Sequence, residues 1–440
     1  MESKYFESLY PVEARDQELE KIVGYIREGV SSQVVGLPGV GRSTILGLLA
    51  YNREIRLRHF PKYHGSIHFV MVNFSEVKTR PYPEVVKFLF LCLSNSLRER
   101  EMPEEYEHVD TLFKEALNYN DELVISQGLK NAIEYLAVER KLTLVLLFDR
   151  FDEYIPQVSM EFFTLLRSLR DRAKYRFSVV FSLDRPLEET VEPSLVADFS
   201  DFISGHVIYL PLLDEPSSSF RLSYLEKLTA KTLSVEQKKE VLRLTAGHIR
   251  LLKVAAEAML AEGTIPADIE AFLLSQKTVH GALMSIWKSL TPGDQVDLSK
   301  GEIHDHQGES YLQKVGLLEG DRITIPLFAK ALADKLFQEN EAKIVYDEAA
   351  NIIKKGDLVL SDSLTKAEFR LLRYLLQHPQ EIVDRETVIS EVWQEAKTTL
   401  GVTEQAVDQL IFRLRHKIEE DPNNSRHLLT IKGRGIKFMP

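Results

Sequence analysis

At 440 residues the chain is too long for one hydrophobic core and should hold about three domains. A composition of 44% hydrophobic and 28% charged residues is that of folded globular protein and excludes the disordered class; no apolar run is long enough to span a bilayer, and MESKYFESLYPVEARDQ lacks the layout of a signal peptide. The expectation is therefore a cytoplasmic protein with no membrane partner, and a net charge of −11 excludes one that coats nucleic acid by bulk attraction.

In chain order, ARDQELEKIVGYIREG places Leu19, Ile22, Val23 and Ile26 on one helical face, and SQVVG then reads as a strand running into a glycine-rich turn. That turn, GLPGVGRST, has the spacing of a phosphate-binding loop, with Gly36, Pro38, Gly39, Val40 and Gly41 leading into Arg42, Ser43 and Thr44. Arg42 stands where such loops carry lysine. RSTILGLLAYN continues as a helix, SIHFVMVNF as a strand, and a helix starts at Tyr82 and ends near Arg100. The stretch EMPEEYEHVD reads as a charged loop, and Cys92, the only cysteine, reads as a core residue that excludes an internal disulfide or a cysteine-rich zinc site.

SQGLKNAIEYLAVER is helical and leads into TLVLLFDRFDEY, apolar without alternation from Leu142 to Phe148, as in a strand buried on both faces. A helix MEFFTLLRSLRDRA, a strand RFSVVFSLDRP and a strand HVIYLPL follow. The alternation predicts an α/β fold with a parallel sheet that binds ligands at the carboxyl ends of its strands. From about Asp214 the pattern is helical, with Gly247 as a break; residues 280 to 340, including the hairpin GDRITIPLF, read as a small winged helix. His304 and His306 have no further spaced ligands and read as a polar loop.

A phosphate loop needs a neighbouring strand that ends in a carboxylate, because Mg²⁺ bridging the phosphates takes an oxygen ligand from it; Asp149 fits, with Ser43 as the hydroxyl ligand. Residues 10 to about 260 resemble ATPases of the AAA+ and STAND group. Arg15, Glu18 and Leu19 match the group's motif before the loop, FSLDRP falls at its sensor-1 strand, and TAGHIRLLK is similar to its lid motif, with Ile249 in place of a proline. The resemblance implies ATP or ADP with Mg²⁺, and it places Arg185 near a γ-phosphate. In the group an acidic residue follows the Mg²⁺ aspartate and activates water, whereas this chain has Arg150, which is no base at neutral pH. Asp152 and Glu153 are then either the catalytic carboxylates or caps of the next helix. Together with Arg42 this favours a site that holds nucleotide with slow or absent hydrolysis over a working ATPase or an empty relic.

From Lys343 to Pro440 there are 15 basic and 15 acidic residues, so the acidic excess belongs to residues 1 to 342. LTKAEFRLLRYLLQHPQEIVDRETVISEVWQ, VTEQAVDQLIFRLRHKIEEDP and LLTIKGRGIKF closely resemble the winged helix-turn-helix of OmpR/PhoB-type response regulators, which implies double-stranded DNA as partner. In the helix starting near Thr403, Val407, Ile411, Leu414 and Ile418 form an inward face, leaving Gln405, Gln409, Arg413 and His416 on the other. Arg413 suits a guanine edge, Arg415 and Lys417 suit phosphate, and Thr430, Lys432 and Arg434 lie in or beside the wing. Arg385 and Trp393 match family positions that contact backbone; for Trp393 a core indole is an equal reading. Leu410 and Phe412 depart from a family pattern that is polar or basic there, so either Phe412 meets a thymine methyl or the helix faces a protein instead.

The expected architecture is a P-loop NTPase sheet over residues 1–213, a helical lid over 214–279, a first winged helix over 280–340 and the DNA-binding winged helix over 343–440. A homo-oligomer or a protein partner completes the expectation.

Overall fold

The computed structural model describes residues 5–62, 65–119, 121–262, 266–300, 310–337, 344–348, 350–355, 358–393, 404–419, 425, 427–431 and 434–439. They fall into two compact units, Met1–Lys335 and Leu336–Pro440.

The apolar runs of the first unit become five strands, β1 (Ser32–Val35), β2 (Ile67–Asn73), β3 (Thr143–Asp149), β4 (Phe177–Leu183) and β5 (Val207–Tyr209). They form one parallel sheet in the order β2-β3-β4-β1-β5. Every residue of β1 and β4 is buried, as expected of strands covered by helices on both faces. Because the strands are parallel, the loop after β1, the Asp149 end of β3 and the residues after β4 emerge on the same edge. Since β4 lies between β1 and β3, Asp184, the residue after β4, belongs between the phosphate loop and Asp149.

The charged stretch EMPEEYEHVD is helical, not a loop: Pro103–Tyr119 is one helix. Pro103 occupies its first position, Glu104 and Glu105 lie in its first turn, and Val109 and Ala116 are buried among Phe90, Leu93 and Leu129 of the flanking helices Tyr82–Glu99 and Glu122–Glu134. Cys92 is half-buried against this cluster and lines a small cleft of about 310 Å³, rather than lying within the core.

After β5 the chain is helical. Asp214 caps Glu215–Thr229, a Ser234–Gln237 capping box starts Val235–Thr245, and His248 caps Ile249–Ala261. Gly247 makes the break between the last two: its φ is +80°, and a Cβ there would lie 2.0 Å from the Leu213 carbonyl oxygen. Helices Ile269–Ser275, Lys277–Ser289, Pro292–Lys300 and Tyr311–Lys314, the hairpin of β6 (Leu318–Glu319) and β7 (Arg322–Ile323), and helix Pro326–Ala333 complete the unit. His304 and His306 lie outside the described residues.

The second unit opens with an antiparallel sheet the sequence reading did not resolve: β8 (Ile344–Asp347), β9 (Ile352–Lys355) and β10 (Leu358–Val359). Helices Lys366–Gln377, Arg385–Val392 and Glu404–Ile418 follow, with β11 (Ile382–Val383), β12 (Leu428–Ile431) and β13 (Gly435–Phe438) in a sheet ordered β11-β13-β12. Leu371, Leu375, Val407, Leu410, Leu414 and Phe438 are the centre of its core. This is a winged helix. Leu410, where the family pattern is polar or basic, is fully buried, so the departure at that position is one of core packing. Among the described residues no helix is long and apolar enough to cross a membrane.

Candidate functional site

The phosphate loop gets its shape from glycine and from what packs against it. Gly39 and Gly41 have φ of +85° and +109°, and helix Arg42–Tyr51 begins at Gly41 with no side chain capping it. The first-turn N–H groups therefore face the cleft at the positive end of the helix, the arrangement that receives an anion. Gly36 is closed in by Val40 and Leu210, and Val40 is buried, with its carbonyl accepting from Arg15 at 3.2 Å. Arg15 also donates to Pro211 at 2.8 Å, tying the loop to the end of β5. Desolvation lowers its pKa, with Glu18 and Asp214 opposing the effect.

The start of helix Ile249–Ala261, in the segment expected to be a lid, reaches the loop directly. Arg250 N–H donates to the Gly39 carbonyl at 3.0 Å, and a Cβ on Gly41 would lie 2.5 Å from Ile249 Cδ1. His248 Nε2–H donates to the Pro38 carbonyl at 3.0 Å while its Nδ1 accepts from Leu251 N–H at 3.2 Å, so the ring must be neutral to make both bonds. Burial pushes its pKa down to about 4, which keeps it neutral.

Between loop, strand ends and lid lies a cleft of about 760 Å³, within the range of small-molecule sites. Ser43 Oγ donates to Asp149 Oδ1 at 2.7 Å, so the two residues expected to hold Mg²⁺ lie side by side. Arg42 forks between two carboxylates, with Nη2 2.6 Å from Asp184 Oδ1 and Nη1 3.3 Å from Asp152 Oδ1. Burial pushes the Asp184 carboxyl up to about 6, with Arg42 pulling it back and Asp152 adding to the rise.

Asp152 and Glu153 sit in a single turn, Phe151–Glu153, set by Arg150 at φ +54°. Phe151 and Tyr154 are fully buried on either side of them, with Phe151 packed edge-on against Phe74 and Phe181 at 4.8 and 4.9 Å. Burying each aromatic ring stabilises by about 1.5–3 kcal/mol, and this anchors the turn so that both carboxylates line the cleft. Glu153 is 3.7 Å from both Lys78 and Arg150. Neither residue caps the helix Met160–Arg172, which starts at Ser159.

Arg185 does not line the cleft. Its guanidinium pairs with Asp294 and Glu189 and lies 3.9 Å above the Tyr311 ring, while the Tyr311 hydroxyl donates to the Asp184 carbonyl at 2.7 Å. The approach to a γ-phosphate expected from the sequence is absent in this conformation. Four cations that the sequence reading did not single out do line the cleft: Arg221, Arg250, Lys253 and Lys288. The three-residue spacing of Arg250 and Lys253 on one helical face was the available signal.

The donor set fits a nucleoside phosphate. An uncapped helix start, several cations and Ser43 line one cleft, with Asp149 hydrogen-bonded to Ser43; Mg²⁺ there would be held by Ser43 and Asp149 and would neutralise phosphate charge.

In the second unit, helix Glu404–Ile418 turns Asp408, Gln409, Phe412, Arg413 and His416 to solvent. Arg413 is the most open of its cations, with Nε 4.0 Å from Glu368. Arg415 donates to the Leu428 carbonyl and, at 2.7 Å, to Thr430 Oγ1, which ties the helix to β12. Lys417 donates to the Ser363 carbonyl and to the buried Glu368 at 2.7 and 2.6 Å. In this conformation the two residues assigned to phosphate from sequence are engaged inside the domain. Arg385 pairs with Asp408 at 2.5 Å, Trp393 is half-buried against the core, and Arg434 is exposed beside the wing. Thr403, Lys432 and the side chain of Gln405 lie outside the described residues.

The chain is similar to the Walker-type ATPase of Pyrococcus abyssi, at 13% identity and a TM-score of 0.46 over 75% of this chain and 98% of that one. Lower scores relate the chain to the Orc1 protein of Aeropyrum pernix (12% identity, TM-score 0.38, 96% and 88% covered) and to domain III of the Thermotoga maritima replication initiation protein DnaA (15%, 0.33, 63% and 93%). Residues 362–438 match the family model described as "Transcriptional regulatory protein, C terminal". Residues 362–438 of the second unit therefore form a domain of that family, on a chain whose first unit is built on a five-stranded parallel sheet with a glycine-rich loop after β1.

Proposed function

We propose that this protein is a sequence-specific transcriptional regulator whose cleft holds ATP or ADP with Mg²⁺, hydrolyses it slowly or not at all, and uses its occupancy to set assembly or DNA binding. The observation that carries this reading is Arg42 held by Asp184 and Asp152, beside a complete Ser43–Asp149 pair. Ser43 and Asp149 would hold the Mg²⁺, which would neutralise charge on the phosphates. The loop N–H groups and Arg42 would bind the phosphates. Asp152, the carboxylate best placed to activate water, is occupied by Arg42, which supports binding without efficient turnover. In the DNA-binding unit Arg413 reads a base edge, while Arg434 and the wing meet the backbone. A second copy or a protein partner would carry the nucleotide state to the DNA.

The test is a selection of bound duplexes from a random pool, run with the protein free, with ATP-Mg²⁺ and with ADP-Mg²⁺, while phosphate release is followed in the same samples. A recovered motif whose affinity changes with nucleotide at background phosphate release supports the reading. Sustained release stimulated by DNA points instead to an ATP-driven assembly factor.

A further inference from the structure

Helix Glu404–Ile418 carries one large apolar side chain that its own domain does not use. Phe412 is 60% exposed, while Val407, Leu410, Leu414 and Ile418 of the same helix are buried. Single exposed apolar side chains are common on protein surfaces; what sets Phe412 apart is its place on the outward face of this helix, between Gln409 and Arg413. The ring is held in place: His416, one turn on, lies with its ring centre 4.2 Å away, and the His416 Nδ1–H donates to the Phe412 carbonyl at 2.9 Å. Gln409 and Arg413 stand exposed on the same face. A lone ring among polar groups is too small to seat a protein, and no other large apolar side chain on this helix is exposed among the described residues.

The major groove presents one apolar group to such a face, the C5 methyl of thymine. We infer that Phe412 is a base-reading residue that packs against a thymine methyl beside the base edge taken by Arg413, with His416 fixing the angle of its ring. This rests on the DNA-binding reading proposed above. It adds to the target a thymine requirement that hydrogen bonding alone would not impose.

The test uses the full chain and a duplex recovered from the random-pool selection, with each thymine replaced in turn by deoxyuridine, which removes the methyl and leaves the pairing edge unchanged. At one thymine, or one per half-site, the replacement should weaken binding about fourfold, the effect of one buried methyl. In Phe412→Ala the thymine and deoxyuridine duplexes should bind equally, and Phe412→Leu should keep part of the difference. Thermal melting of both variants checks folding, which an exposed position should leave unchanged. Uniform tolerance of deoxyuridine in the wild-type protein overturns the inference while leaving the DNA reading intact, as does methyl sensitivity that persists in Phe412→Ala. Failure to recover any motif overturns both.

Discussion

Arg42 lies 2.6 Å from Asp184, so the cation of the phosphate loop is already neutralised by a carboxylate from the end of β4. A phosphate entering the cleft must compete with Asp184 and Asp152 for the same guanidinium. Asp184→Asn removes one competitor and one negative charge beside the phosphates, and should tighten nucleotide binding roughly three- to tenfold, by calorimetry or fluorescence titration. The pH dependence has a definite sign. With its carboxyl raised to about 6, Asp184 is neutral below that value, so wild-type affinity should rise as pH falls through about 6 more steeply than in Asp184→Asn.

Arg42→Lys replaces a planar fork that spans two carboxylates with a point charge that cannot hold both. Asp152 is then released to orient water, and phosphate release should rise roughly tenfold over wild type, read by a continuous phosphate assay. An unchanged rate would place the block elsewhere, with Arg150 as the next residue to replace.

Arg185, Asp294 and Tyr311 join the end of β4 to helices that follow the lid. Asp294 also accepts from Thr291 N–H at 3.0 Å at the start of its own helix. Asp294→Ala should free Arg185 and expose the contact, seen as faster proteolysis or hydrogen exchange in residues 277–300 with the fold retained.

His248 makes the first unit acid-sensitive. Its pKa is lowered from 6.5 to about 4 by burial, so above about 6.5 neither folded nor unfolded chain binds the proton. Below that pH the unfolded chain takes it up first, and stability falls by about 1.4 kcal/mol per pH unit until about pH 4. His68, buried and lowered to about 3, acts in the same direction, while Asp184 opposes them between its ordinary value and about 6. His248→Gln should therefore show a smaller loss of urea resistance between pH 7 and 5 than wild type.

In the second unit, Arg413→Ala should cost about 1–3 kcal/mol at one base position and relax specificity there. Arg415→Ala loses bonds to Leu428 and Thr430, so it should lower the melting temperature and weaken all duplexes alike. Equal loss on specific and random DNA from Arg413→Ala would remove it as the base reader.

The parallel sheet was legible because buried strands read as unbroken apolar runs, and the loop because its glycines and Ser43 have fixed spacing. Asp149 followed from the chemistry of the metal. The fork from Arg42 to Asp184 was not legible, since it depends on β4 lying between β1 and β3, a matter of strand order. Helix Pro103–Tyr119 reads as a loop because its charges mask Val109 and Ala116, which are seven residues apart on one face. Arg415 and Lys417 were assigned by charge alone; their engagement with Leu428 and Glu368 depends on tertiary contacts. Leu410 shows the same limit from the other side, because a family pattern at one position does not state which face the side chain takes.

The bond from Arg250 N–H to Gly39 makes one amide proton a clock for the cleft. That proton is protected while the start of helix Ile249–Ala261 sits on the loop, so its deuterium uptake reports how readily this contact opens. A ligand that binds only beneath the seated helix slows the clock, and by thermodynamic reciprocity the factor by which it suppresses opening is its preference for the seated over the open state.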